Sequence, residues 1–415
     1  MKNWGNGQLL IGKIGFCERS ESNMKEVIVV GGTDTIFEYL GTIKLNITLV
    51  QYKEKITGYQ ISRATKIILI GEEMSYGEIL EQVELEHSRR EFDVILTMTE
   101  NCIDLCSKLK DDLKIEGISK ISTGYVRNKY KMRLKFKELG IPTMNFLKVR
   151  NKSEIKMFYD DCEVGETILK PLSGTGSEGI VKISGKEDID SAWSWIGDGT
   201  GDLLVEEFVG GSEYSAEGVF VNGKHKLLAI TKKYTTGDPH FIETAHIQPY
   251  NLPEKYYKKI ELYVKMFFES LGIYMGATHT EFKIFRDEVY IIETHTRYGG
   301  DRIWELLLLT KGISQQNAIF AEIAQKTADK FPVKFKIAAS VFVIPKKMGN
   351  TYTLEQLTNL KKIKGFYKTD LDSKYYPVRE LKSSYERIGY VIVGADNFEE
   401  LQKCILEVKD ILEIE

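Results

Sequence analysis

The sequence lacks most of what marks a secreted, membrane-bound or nucleic-acid-binding protein. Its five cysteines (Cys17, Cys102, Cys106, Cys162, Cys404) are odd in number and form no CxxC pair, so a reduced, intracellular setting is expected. The six histidines never adopt HExxH or a related spacing, which argues against a structural zinc site. No apolar run approaches the roughly 18 residues of a membrane span. Near the N-terminus the longest apolar run, Leu9-Leu10-Ile11, is too short for a signal-peptide core. Charge of one sign is missing too: 57 basic and 60 acidic residues leave a net −3, with no global pull toward nucleic acid or an anionic membrane. The VVGGTDT turn lacks G-x-G-x-x-G spacing and reads as a tight strand-to-helix turn, not a dinucleotide site. No internal repeat or low-complexity linker appears. What remains is a cytoplasmic globular protein, 42% apolar and 28% charged.

At 415 residues the chain is too long for one ordinary core. Its first third alternates Val/Ile/Leu-rich runs (25–32, 44–52, 65–71, 92–100) with helix-compatible segments, the pattern of a doubly wound parallel sheet. A basic amphipathic helix spans 128–142 and stops at Gly140 before Pro142. From about 165 to 295 the texture becomes β-rich with hairpin glycines. A largely buried helical region follows at 301–324. The tail offers two strand candidates (334–345 and the start of 387–408) and a closing helix. An α/β chain (α+β in its second part) of three units is expected: 1–125, 126–205 and 206–415.

Chemistry gathers in the middle. Lys129 opens the basic helix, and Lys170 ends an apolar strand before a Ser/Thr/Gly loop holding Ser173, Gly174, Gly176, Ser177 and Gly179. Such a loop exceeds what a hairpin needs and is rich in the backbone N–H groups a phosphate flap would use. Glu206, Glu207 and Glu213 lie on or beside the strand at 203–218, with Glu206 expected inward because neighbours on a strand point oppositely. Glu281 and Glu293 sit on two runs that read as adjacent antiparallel strands joined at Arg286-Asp287, and alternation converges them on one face. Two hard carboxylates suit magnesium. Arg297 follows, able to meet a phosphate bidentately.

With these residues in place, the chain from Lys129 to about Arg302 resembles the ATP-grasp superfamily. The resemblance implies that Lys129 and Lys170 touch ATP phosphates under the 173–179 flap. Glu206-Glu207-Phe208-Val209 would form the adenine hinge, with Glu213 at the ribose. Glu281 and Glu293 would hold magnesium, two ions by the resemblance, with manganese the alternative. His295 stands where many relatives carry Asn and would join the metal set. Two stretches are similar to the L-amino acid ligase branch, which makes dipeptides from free L-amino acids. By that resemblance Glu243 and His246 line the amino acid site, and Arg297 with the Gly-Gly turn steadies the acyl phosphate. An ATP-grasp fold is thus expected: a Rossmann-like N-terminal domain, a central lid and a C-terminal catalytic domain.

Alternatives stay open. His246 is either a pocket residue or a structural hydrogen-bonder. Asp301 either lines the pocket or, as favoured, caps the helix that follows. His87, His225 and His279 are taken as structural, and Cys102 and Cys106 as packed inward. Glu243 with Asp238 and Asp301 raises a cationic first substrate such as arginine. The other enzyme reading uses another amine or bicarbonate; a nucleotide-holding regulator would lack the carboxylates and arginine seen here. A homodimer is compatible with the sequence.

Overall fold

The computed structural model describes residues 24–162, 165–197, 201–344, 350–376 and 381–414; Cys17 and the 9–11 run lie outside them. The first unit is a parallel sheet of β1 (Glu26–Val30), β2 (Asn46–Tyr52), β3 (Lys66–Ile70) and β4 (Val94–Leu96), ordered β3-β2-β1-β4. The five residues of β1, EVIVV, are all buried, because both faces of the sheet are covered. Val27 and Val29 point to one face, where Ile319, Phe320 and Ala321 from the helix Gln315–Ile323 meet them. Ile28 and Val30 point to the other, against Ile79, Val83 and Leu109. Each such side chain buried contributes about 1.5–3 kcal/mol, so this alternation anchors the first unit to the last. The turn after β1 is tight: Gly31 has φ +68°, and a Cβ there would run into Cys102 Sγ.

The second unit is a four-stranded antiparallel sheet, ordered β5-β8-β6-β7, of β5 (Phe146–Val149), β6 (Thr167–Pro171), β7 (Val181–Ile183) and β8 (Leu203–Glu207). The third is an eight-stranded sheet. It contains β9 (Ser212–Val221), β10 (Lys224–Thr235), β11 (Glu243–Gln248), β12 (Ala277–Phe285), β13 (Glu288–His295), β14 (Ile337–Val343), β16 (Phe366–Thr369) and β18 (Gly389–Ala395), ordered β13-β12-β9-β10-β11-β14-β18-β16. The short strands β15 (Asn350–Thr351) and β17 (Tyr375–Tyr376) form a separate antiparallel pair. The tail is therefore richer than two strands and a helix, since short strands and a helix at Leu354–Leu360 intervene before the closing helix Phe398–Leu412.

Three local outcomes refine the sequence reading. The buried helical region is two helices, Ile303–Lys311 and Gln315–Ile323, broken at Gly312 with φ +64°. The basic helix is Lys129–Glu138, capped by Asn128, whose side chain accepts from Lys131 N–H. Arg286 and Asp287 join β12 to β13 with φ +47° and +66°, the two left-handed central residues that a tight primed hairpin turn demands. Among the described residues no helix is long and apolar enough to cross a membrane.

Candidate active site

Between the second and third units lies a cleft. Lys129, Lys170, Glu206, Glu207, Phe208, Val209, Glu213, Glu243, Glu281, Glu293, His295 and Arg297 all line it, with the flap residues Ser173, Gly174, Gly176 and Ser177. Gly179 packs behind the flap on Pro171. His246 is buried beneath the floor, edge-on to Phe342 at 5.1 Å, with neither ring nitrogen hydrogen-bonded. Burial presses its pKa down to about 3, outweighing Glu243 beside it.

The carboxylate pair follows from register: Glu281 and Glu293 are direct cross-strand partners. Glu281 Oε1 lies 2.6 Å from Lys233 Nζ and 3.2 Å from His279 Nε2. Glu293 Oε1 lies 3.1 Å from Lys129 Nζ and 3.4 Å from His295 Nε2. Burial tends to raise the Glu281 pKa, but Lys233 and His279 hold it well below the carboxylate range. A divalent cation fits this donor set: two carboxylates face one cleft, and His295 Nδ1 is buried without a hydrogen-bond partner. His279, taken as structural, sits inside this network. It is buried, yet Glu217 at 2.9 Å and then Glu281 lift its pKa to about 9.

Lys170 is buried against Glu206, not waiting alone for a phosphate. Glu206, inward as expected at 2% exposure, also accepts from Arg133 Nε at 3.0 Å. Burial lowers the Lys170 pKa despite this partner. The Glu206 side chain is thereby committed, which leaves the backbone of 207–209 and the rings of Phe208 and Phe241, stacked 5.7 Å apart, at this end of the cleft. Arg133 was invisible in sequence, one basic residue among many in KYKMRLKFKE, though it shares a helix face with Lys129 four residues earlier. Replacing Arg133 with Met should lower stability by about 3 kcal/mol, because it leaves a buried carboxylate under-compensated. An unchanged denaturation midpoint would show that Lys170 alone holds Glu206.

Two further groups were missed. Lys233, 4% exposed, reaches Glu281, Glu243 at 3.0 Å and Glu213 at 3.4 Å, and those carboxylates raise its pKa well above normal against the cost of burial. Arg387 lies 3.9 Å over Phe342, bonds Asp301 at 2.6 Å and stands 3.7 Å from Glu243. Asp301 therefore does not cap its helix; the cap position is Arg302, without a side-chain bond. Asp238 pairs with Lys182 at 2.6 Å and is not part of the cleft lining.

The flap is held from across the cleft. Gly174 O accepts from Lys129 at 3.0 Å, Gly176 O from Ser384 N–H at 2.8 Å, and Thr175 Oγ1 meets the Tyr385 hydroxyl at 2.5 Å. Gly176, at φ +70°, leaves space for the Tyr385 ring, which a Cβ would approach to 2.7 Å. Arg297 is buried with its Nε 2.6 Å from Glu100 of the first unit; burial opposes its charge, but Glu100 raises its pKa.

A glycine flap, two lysines and a carboxylate pair surround one cleft, as expected of an ATP-grasp fold, and residues 165–305 match the ATP-grasp domain family. The matched segment contains the flap, both carboxylates of the pair and Arg297. The chain is similar to alanine–anticapsin ligase of Bacillus subtilis strain 168, 28% identical over 256 residues, 55% of this chain and 53% of that protein. It also resembles dapdiamide A synthase of Enterobacter agglomerans, 23% identical over 217 residues and half of each chain. The chain spans about half the length of these curated relatives. Among solved structures, L-amino acid ligase from Bacillus licheniformis superposes with TM-score 0.72 at 19% identity, covering 94% of this chain and 98% of that one. An ADP complex of N5-carboxyaminoimidazole ribonucleotide synthetase gives 0.69 at 17% identity, covering 94% and 98%.

Proposed function

We propose that this chain is an ATP-dependent carboxylate–amine ligase that joins two L-amino acids through an aminoacyl phosphate, releasing ADP and phosphate. The observation that carries the reading is the convergence of Lys129, Lys170, Glu281 and Glu293 on one cleft beneath the glycine flap. The names of the relatives support it, since alanine–anticapsin ligase and L-amino acid ligase both name amino acid ligation.

A carboxylate is a poor electrophile, and phosphorylation by ATP gives it a leaving group. Phosphoryl transfer needs charge neutralised and atoms aligned more than covalent help. Lys129 and Lys170 would spread charge on the phosphates, while the flap, pinned by Ser384 and Tyr385, excludes water. Glu281 and Glu293, with His295, would hold magnesium or manganese, which supplies electrostatic stabilisation of the transferring group when bound. Arg297 would hold the phosphate that departs when the amine attacks. The first amino acid would lie toward Glu243, whose pKa falls to about 2 because Lys233, His246 and Arg387 outweigh the cost of burial. Arg387 answers the acidity of Asp301 and Glu243, which weakens the case for a cationic first substrate.

The test is phosphate release over all pairs of the twenty amino acids with ATP and magnesium. Turnover with at least one pair, and a dipeptide mass in the product, is expected. Release only with bicarbonate or a non-amino-acid amine would replace this reading with the second one, which the resemblance to the carboxyaminoimidazole synthetase fold favours.

A further inference from the structure

A second cavity, of about 350 Å³, opens at the mouth of the nucleotide cleft. Its wall joins distant parts of the molecule: Glu100 from the first unit, Arg127 just beyond it, Thr175 from the flap, Tyr385 that pins the flap, and Glu293 and His295 from β13. None of the motifs read from the sequence accounts for Glu100 or Arg127.

Resting on the ligase reading, we infer that this cavity is the binding site of the amine-donating amino acid. Arg127 takes its α-carboxylate and Glu100 its ammonium group. The charges are the complement of a zwitterion: Arg127 Nε lies 3.6 Å from Glu100 Oε1. Arg127 presents the planar fork that matches a carboxylate. Its other partner is Asp104, whose side chain is 63% exposed. An ion pair that open is weak, so a substrate carboxylate can displace it. Glu100 is held more firmly, with Oε2 2.6 Å from Arg297 Nε and 3.6 Å from His295 Nδ1.

That fixed position gives the site its function. Arg297 is the group placed to hold the departing phosphate, so an ammonium drawn to Glu100 rests beside the acyl phosphate. Glu293 and His295 line both this cavity and the nucleotide cleft, so the two adjoin. Its volume falls in the range of small-molecule pockets, about 300–1,000 Å³. Because Glu100 comes from the first unit and Arg127 from the junction with the second, the amine substrate is bound only when these parts are docked beside β13.

The experiment uses the full chain and the amino acid pair found by phosphate release. The amine substrate is titrated as its free acid and as its α-carboxamide, with ATP and the other amino acid saturating. Wild type should prefer the free acid. Arg127→Gln should raise the KM for the free acid by about tenfold or more, leave the KM for ATP unchanged and abolish the preference over the carboxamide. Glu100→Gln should raise the amine-substrate KM for both forms. Asp104→Asn, which removes only the exposed partner, should leave that KM unchanged or lower it. A wild-type preference that survives Arg127→Gln overturns the inference while leaving the ligase reading intact, as does an equal rise from Asp104→Asn. Absence of turnover with every amino acid pair overturns the ligase reading, and the inference with it.

Discussion

Glu293→Gln should lower ATP-dependent phosphate release by about 100-fold or more, with the protein still folded. The size follows from the role: a cation holding a transferring phosphoryl group is worth several kcal/mol of transition-state stabilisation, and each 1.4 kcal/mol or so is tenfold in rate. Gln keeps the shape of Glu and removes the charge. Glu281 would remain, ionised by Lys233 and His279, so cation affinity should fall rather than vanish. The checks are magnesium titration of phosphate release and circular dichroism of the variant. Raising magnesium should recover part of the loss. Wild-type turnover in a folded Glu293→Gln protein would remove the carboxylate pair from the mechanism.

Much of this site was readable because its determinants are local. A β-rich run ending in Lys-Pro before a glycine loop specifies a strand and a flap by composition alone. Alternation along 277–295 suggests the hairpin, but the meeting of Glu281 and Glu293 depends on an irregularity: an unbroken register from the turn would set Glu281 opposite Ile292, and the shift between Glu281 and Phe282 brings Glu293 there instead. The unreadable part consists of partners distant in sequence. Glu100 and Arg297 meet across 197 positions, Lys233 and Glu281 across 48, and an ion pair across a fold leaves no spacing to detect. Arg133 was obscured by the basic residues around it. Asp301 misled for a related reason: an acidic residue just before a helix fits a cap on local grounds, and only Arg387, 86 positions away, redirects it. Lys233 did leave one clue, a charged residue inside the LLAITKKYTT strand, where burial requires pairing.

That lysine gives the second large expected effect. Lys233→Met should cost about 3–5 kcal/mol of folding stability near neutral pH, the usual penalty for leaving buried charges without their partner. In the wild-type protein its folded pKa is raised, so its contribution is complete below the unfolded value of 10.5 and is lost only as pH rises beyond it. Glu243 and Glu281 have depressed folded values, near 2 for Glu243. Their contribution is present above the unfolded value of 4.5 and is lost as pH falls toward 2. Removing Lys233 reverses that sign. The same carboxylates, buried and close to one another, would then titrate above 4.5 in the folded state, and their ionisation would oppose folding as pH rises. The stability gap between wild type and Lys233→Met should therefore be smaller at pH 5 than at pH 7, groups common to both proteins such as His225 cancelling in the difference. Urea titrations at the two pH values measure it. A gap equal at both would mean that His279 and Arg387 alone keep these carboxylates ionised, and that Lys233 only fills space.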